Sequence, residues 1–576
     1  MKNLIYILLL STFVVLLSSC EMLNEDLVSE VSTDSHYTTP SGFEDAVNAA
    51  YAPLRNYYGN NVGAFLEEYG TDITQNAGHG GLRHYNWYTA ALNSEDGIIT
   101  SVWDGYYQAI NITNAAINRA EGIQGMDETL KQTKLGEVHA LRAFYYFTLV
   151  QHFGAVHLTT EETEGVEIEA NRTAPAQVYE QIVSDLETAI SNLPPDPADQ
   201  QFGRVTEPVA KMMLAHVLLT RGYQDFAGSD DFNRAATLAE SVTTDYGFQL
   251  VEDYERIFAA DNQQNSEIVW SIQYGTDPIL NGPDDGDGNH SHVYYRPWYE
   301  TYGGNGSGAG LSRTMEYGRP WIRFKMTPFA LENYRPLDQD SRYDKSFQDT
   351  WNYNDASSLP TDQYPNVSVG DTAIYIDPDM TEQEVEDRQA DTPYYLMSWA
   401  TAHTATNINM FPNLKKHDDR QRSSVNEYGG TKDYFVYRLA EAYLFAAEAR
   451  YNLGNLQQAA DHINVVRRRA AWPGQEANME IGAGDVTLDF ILDERAREFY
   501  GESKRWTTLK RTGKLIERAA DRYLGKLGDE PSRDPADMKT TAEEKYGNEG
   551  YKFLLRPIPA TQITRTDGGY EQNPGY

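Results

Sequence analysis

Cysteine is all but missing from the sequence: one in 576 residues, at position 20. Whatever fold follows that position holds together without disulfides, and it can build neither a thiolate zinc cluster nor a cysteine nucleophile. Basic charge is scarce as well. The 48 Lys and Arg stand against 85 Asp and Glu, a formal net charge of −37. That balance excludes a nucleic-acid binder, which must neutralise phosphates with basic side chains. It also argues against a strongly anionic ligand, unless a local basic pocket overrides the average. Past the first 20 residues no apolar run reaches the roughly 20 residues that a bilayer span needs. HExxH, GxSxG and P-loop strings are absent. The histidines are scattered, and the near neighbours His79/His84 and His290/His292 lack acidic ligands at metal-binding spacing.

The N-terminus is where the apolar residues are. Met1 and Lys2 precede the almost wholly apolar Leu4–Leu17, and then comes Leu17-Ser18-Ser19-Cys20. A positive charge, a short apolar stretch and small residues before a cut site describe a secretory signal rather than a span. The last four residues resemble a bacterial lipobox, which makes Cys20 the lipid attachment point and leaves the body of the protein in water on a tether. Residues 1–19 are thus read as a signal peptide and 20–40 as a lipidated tether. A chain of this length has ample residues for a core.

From Ser41 onward the apolar spacing is helical. Phe43, Val47, Ala50, Tyr51 and Leu54 share a face, with Ser41 as the expected N-cap and Glu44 completing a capping box. Further helices are expected from Leu135 to Gly154, over 175–192 ahead of Pro194-Pro195, and over 206–223 and 231–245. The clearest pair spans 433–470 with its turn at Gly454-Asn455. There Ala447 and Ala459, twelve residues apart, match the small-residue spacing of tetratricopeptide units. The expected fold is mainly α, a tetratricopeptide-like helix-turn-helix scaffold with a large irregular, loop-rich lobe. Its parts are an N-terminal helical region (41–274), the lobe (275–430) and a C-terminal helical region (431–576) packing on the first.

The lobe is dense in Gly, Pro, Asp and Tyr, and structured segments of that kind set into a regular body carry variable function. Its Gly303–Gly310 run follows no strand and is no nucleotide fingerprint. Asp285, Asp287 and Asn289 alternate like a calcium loop, but Arg296 stands where the closing acid belongs and His290 where Gly is needed, which excludes a helical calcium hand. A looser structural calcium is left open, and no other cofactor or metal is expected. No catalytic residue is assigned. With 40 Tyr and 9 Trp, aromatic recognition is the chemistry left standing: flat rings pack on the C–H faces of sugars while Asn, Arg and Asp bond the hydroxyls. The candidates are Tyr85, Trp87, Trp298, Tyr299 and Trp321 as stacking faces, with Arg83 and Asn86 as hydrogen-bonding partners.

Several strings resemble the SusD/RagB family of outer-membrane lipoproteins of Bacteroidetes. They are Gly136–Phe147 continuing to Gln151–Gly154, Asn265–Trp270, Asp340–Tyr343, Ile491–Phe499 with Arg505-Trp506 and Leu509–Arg511, Pro557–Pro559, and the terminal Gln572–Tyr576. The physical reading of Glu494, Arg495, Arg497, Glu498 and Arg505 is a structural ion-pair network. The resemblance implies a non-catalytic, lipid-anchored protein of the outer membrane, facing the exterior. Such a protein captures oligosaccharide for a SusC-like TonB-dependent barrel transporter. Capture of peptide or another nutrient by the same arrangement is the alternative within the family. Outside it stand a surface glycosidase, whose carboxylate pair cannot be found by inspection, and a helical scaffold for other proteins.

Overall fold

The structure is a computed structural model that describes residues 38–519 and 554–576, apart from 80–81, 89, 164, 166–167, 197–200, 278–287, 303–307 and 405–406. The signal peptide, Cys20 and most of the tether lie outside the described residues.

Eight helices form one array: α1 (Pro40–Tyr51), α2 (Gly97–Arg119), α3 (Glu128–Phe153), α4 (Pro175–Asn192), α5 (Glu207–Arg221), α6 (Asp231–Thr244), α7 (Leu439–Asn452) and α8 (Leu456–Ala470). Each packs on the next in this order, including α6 on α7, although nearly 200 residues of sequence separate those two. The start of α1 differs from expectation. Pro40 takes the first helical position, which suits its fixed φ and missing N–H, so the N-cap is Thr39, whose Oγ1 accepts from Gly42 N at 3.1 Å, and not Ser41. The helix α2, unanticipated from the sequence, is capped by Asp96, which accepts from the Ile98 and Ile99 amides at 2.9 and 3.1 Å. Every residue from Ala140 to Gly154 of α3 is buried, so this helix is enclosed on all sides and not merely on one stripe. It stops at Gly154, where φ is +73°. Ala235, Ala236 and Ala239 of α6, Ala440, Ala446 and Ala447 of α7, and Ala459 and Ala460 of α8 are fully buried. Such small side chains let helix backbones approach closely.

Between α6 and α7 the chain builds the lobe from short strands, joined by one strand contributed from between α1 and α2. The strands are β1 (Thr74–Asn76), β2 (Ile268–Ile272), β3 (Phe324–Met326), β4 (Phe347–Gln348), β5 (Thr350–Asn352), β6 (Thr372–Asp377), β7 (Tyr395–Ser398), β8 (Asn413–Leu414) and β9 (Tyr434–Arg438). The pairs β1/β3, β2/β9 and β4/β8 are antiparallel; β5, β6 and β7 make a three-stranded sheet in which β6 and β7 run parallel. The segment 434–438 therefore opens the C-terminal region as a strand, in keeping with its aromatic and β-branched Tyr-Phe-Val-Tyr, and the helix begins only at Leu439.

Three of the separated sequence strings meet in space. Arg342, after β3, bonds Asp340 (2.7 Å), Glu494 (2.7 Å) and Glu498 (3.1 Å) of helix α9 (Leu488–Phe499). Arg438 at the end of β9 reaches Glu267 (2.5 Å), Glu498 (3.1 Å) and Glu502 (2.9 Å), and Arg469 of α8 reaches Glu267 (2.6 Å) and Glu498 (2.5 Å). These side chains are almost wholly buried. Burial pushes the Glu494 and Glu498 carboxyls up, but the surrounding arginines outweigh it and hold both below the ordinary carboxylate range. The network is the joint between lobe and helical array. A second clamp, Arg505 on Asp72 at 2.7 and 2.6 Å, fixes the turn before β1.

Candidate glycan-binding site

Pairing of β1 with β3 continues past the strand ends. Ala77 N donates to Arg323 O (2.8 Å) and His79 N to Ile322 O (3.0 Å), while the Tyr69 hydroxyl donates to Arg323 O (2.9 Å). The segment 77–79 thus runs beside Trp321–Arg323. Ala77, Ile322 and Phe411 form a small buried cluster. Gly78 lies so close to Asn409 Oδ1 and Ile322 that a Cβ there would clash. The carbonyl of Asn409 in turn accepts the Trp298 amide at 2.7 Å. Four stretches of chain are thereby tied into one ridge on the lobe.

The ridge carries aromatic rings at graded depth. Trp298 is 41 % exposed. Trp321 and Tyr428 are half-buried, with ring centroids 5.3 Å apart at 35°. The buried rings of Tyr294 and His290 support them from within, at 6.0 and 5.9 Å from Trp321. Arg323 stands 5.6 Å from the Trp321 ring and Arg319 5.8 Å from that of Tyr428. Neither arginine forms an ion pair with a carboxylate among the described residues: Arg323 donates to His79 Nδ1 (2.7 Å) and Arg319 to Asn426 O (2.5 Å). Burial and the neighbouring Arg323 lower the pKa of His79, which keeps its imidazole neutral and able to accept. Four residues beyond Trp298, the half-buried Tyr302 meets Tyr395 with centroids at 5.3 Å. Flat rings with guanidinium groups beside them can stack on sugar faces and bond hydroxyls.

The sequence candidates divide sharply. Trp298 and Trp321 stand on the ridge. Tyr299, next to Trp298, points inward: it is fully buried and its hydroxyl donates to Gly318 O at 2.7 Å, so it is no stacking face. Tyr85 and Asn86 are also corrected. Tyr85 is fully buried with its hydroxyl on Asp96 (2.5 Å), the cap of α2, and Asn86 donates to Asn76 Oδ1 at 2.9 Å. Both belong to the short helix Arg83–Trp87 and serve the interior because that helix is pressed onto β1 and the start of α2. Arg83 is exposed at the first position of that helix. The backbone of Trp87 lies at its end, and its side chain is outside the described residues.

Three of the non-glycine residues with positive φ bracket these segments: Leu82 (+65°), Tyr88 (+48°) and Ile322 (+41°). For a β-branched residue such as Ile322 that conformation is costly, and strain of this kind gathers where side chains must be aimed. Sequence reading named Tyr302 among the aromatics around the glycine run but missed its partner Tyr395, and it missed Tyr428, Arg319, Arg323 and His79 as parts of a site. The signal on offer was Arg319-Pro320-Trp321-Ile322-Arg323, in which cation, indole and cation recur at every second position.

Asp285, Asp287 and most of the glycine run lie outside the described residues. Asn289 is buried, donating to Lys432 O (2.8 Å) and accepting from Ser291 N (2.9 Å). Among the described residues no group of three or more acidic, His or Cys side chains is placed to hold a metal ion. Likewise none of the described helices is long and apolar enough to cross a membrane.

Two family models match the chain: one described as the SusD family over residues 254–576, the other as starch-binding, associating with the outer membrane, over residues 29–219. SusD-like protein P2 of Formosa agariphila is 26% identical over 586 residues, covering 98% of this chain and 99% of its own. Among solved structures, a laminarin-binding SusD-like protein superposes with a TM-score of 0.66 at 24% identity, over 94% of this chain and 100% of that one. Surface glycan-binding protein A from Bacteroides thetaiotaomicron, in complex with laminarihexaose, gives 0.66 at 20% identity, over 93% and 100%. These last two establish a shared fold.

Proposed function

The chain belongs to the SusD family, a family of non-catalytic carbohydrate-binding proteins, and from that premise we propose that it captures oligosaccharide or polysaccharide at the cell surface. It then delivers the glycan to a SusC-like TonB-dependent transporter in the outer membrane, to which it is tethered through lipid on Cys20. The observation that carries the reading is the ridge itself: an exposed Trp298 and the paired Trp321 and Tyr428, with two arginines over those paired rings that form no ion pair with a carboxylate among the described residues. An open ridge binds weakly on its own, and a tether compensates by raising the local concentration of captured glycan at the transporter mouth. The starch named for one matching family model and the laminarin named for a structural relative make neutral glucans the first ligands to try.

The experiment is retardation of residues 21–576 in native gels cast with laminarin, starch and a wider polysaccharide panel, alongside an assay for released sugar. Retardation by at least one glycan, abolished by Trp298→Ala or Trp321→Ala and unaccompanied by release, is the expected result. Released sugar, or retardation indifferent to both substitutions, overturns it. Co-purification of a barrel transporter with the full-length protein from outer membranes tests the delivery step.

A further inference from the structure

A cleft of about 420 Å³ opens on the helical body, far from β3 in sequence and sharing no lining residue with the aromatic ridge. Its volume falls in the range of roughly 300–1,000 Å³ typical of small-molecule sites. The floor is β2. There Ser271 is 1 % exposed, and its Oγ has no hydrogen-bond partner among the described residues. Buried hydroxyls are almost always paired, so one left unpaired on the floor of an open cleft marks a place for an occupant. One wall is α1 with the turn that follows it, bringing Asn48 and Arg55. The other is the turn before α5, pinned by Trp270 Nε1 donating to Gly203 O (3.0 Å). Gly203 has φ +94°, and a Cβ there would lie 2.7 Å from Gln273 Cγ, so this wall approaches the floor as closely as a backbone can.

Charge within the cleft runs against the rest of the chain. Among the described residues no carboxylate lines it. Of its two arginines, Arg204 is committed to Glu137 (2.9 Å) and to the face of Tyr51 (4.9 Å). Arg55 lies over Tyr274 (5.2 Å) and gives one N–H to Gln273 O (2.7 Å), with no ion pair to a carboxylate among the described residues; Asp433 acts on it only through space. A guanidinium with donors to spare, a buried hydroxyl, the amide of Gln273 and the Asn48 amide, whose oxygen also accepts from Arg204, therefore line one open cleft.

We propose that this cleft is a second ligand site, which takes a compact polyhydroxylated carboxylate, a sugar acid of the uronate class. Arg55 receives the carboxylate, and Ser271, Gln273 and Asn48 receive ring hydroxyls. Isothermal titration of residues 21–576 with D-glucuronate and D-galacturonate tests it, with D-glucose as the neutral control. Saturable binding of at least one uronate, at least tenfold tighter than glucose, is expected. Arg55→Gln should weaken it at least tenfold. Ala52→Trp, placed on the exposed rim where folding is undisturbed, should abolish it, and Trp298→Ala should leave it unchanged. Thermal melts of each variant confirm that the fold is intact. Absence of saturable uronate binding overturns the proposal. So does binding that survives both Arg55→Gln and Ala52→Trp, or binding lost in Trp298→Ala, which would move the ligand to the ridge.

Discussion

The ridge and the buried joint are built from the same residue types, arginine and aromatic rings, and put them to opposite use. In the joint, Arg342, Arg438 and Arg469 are each matched to carboxylates at 2.5–3.1 Å in the dark interior. On the ridge, Arg319 and Arg323 lie against rings and carbonyl or imidazole acceptors at the surface. The joint draws Glu267, Arg342, Glu494 and Glu498 from the strings by which the family is recognised and adds Arg438, Arg469 and Glu502 from outside them; the ridge uses none of the strings. On the proposed reading, family recognition and ligand choice are physically separate. Strings that contain Glu267, Arg342, Glu494 and Glu498 help fasten lobe and array together, while the proposed glycan site lies outside them.

The sharpest way to break this contrast is to cut the joint. Arg342→Ala leaves Asp340, Glu494 and Glu498 buried without their shared cation, at an expected cost of about 3–5 kcal/mol. Denaturant unfolding should record it, and a loss under about 1 kcal/mol would mean that the joint is dispensable.

Next in size is a pH effect from the edge of the same interior. Burial raises the Glu68 carboxyl to about 7, despite bonds from Ser503 N and Thr74 Oγ1. A carboxyl raised on folding binds its proton more tightly in the native state, so its contribution to stability grows as pH falls from about 8 toward 5. Glu494 and Glu498 are depressed, so what they add is present above the ordinary carboxylate range and lost as pH falls below about 4.5. Lys325 and Lys510, lowered by burial to about 7, slope the other way above pH 7. The quantity to measure is thus the difference between the native chain and Glu68→Gln, which should change by about 1–3 kcal/mol between pH 8 and pH 5. A flat difference would remove Glu68 from the account.

On the ridge the effects should reverse, large in binding and small in stability. Trp298→Ala is expected to weaken glycan binding at least tenfold, about 1.4 kcal/mol, while shifting unfolding by no more than about 0.5 kcal/mol. Equal losses in both would erase the distinction between the regions. The smallest effect belongs to Tyr85→Phe, which removes one hydrogen bond to the α2 cap. About 1 kcal/mol of stability should go with no change in glycan retardation, and a binding defect would return Tyr85 to the site.

Helices with a one-sided apolar stripe were legible in the sequence to within a few residues, because 3.6-residue periodicity is a local property. The gap between 97 and 119 and the strand at 434–438 were not, the latter because its alternation is drowned by burial on both faces. At the site, composition located the right neighbourhood but could not tell Trp298 from Tyr299. Adjacent residues of an irregular turn point opposite ways, and only the tertiary contacts of Asn409 and Gly318 decide which faces water. Thr39 outcompeted Ser41 as a cap for a similar reason, once Pro40 had set where the helix begins.

The packing of α6 on α7 has a kinetic corollary. A chain growing from its N-terminus exposes the alanine face of α6 until residues 439–470 have followed, after the whole lobe has been made. The lobe, for its part, lacks the carboxylates of α9 until position 498. Contacts so distant in sequence make closure slow, so α6 and the lobe wait for these partners until the C-terminal region is available.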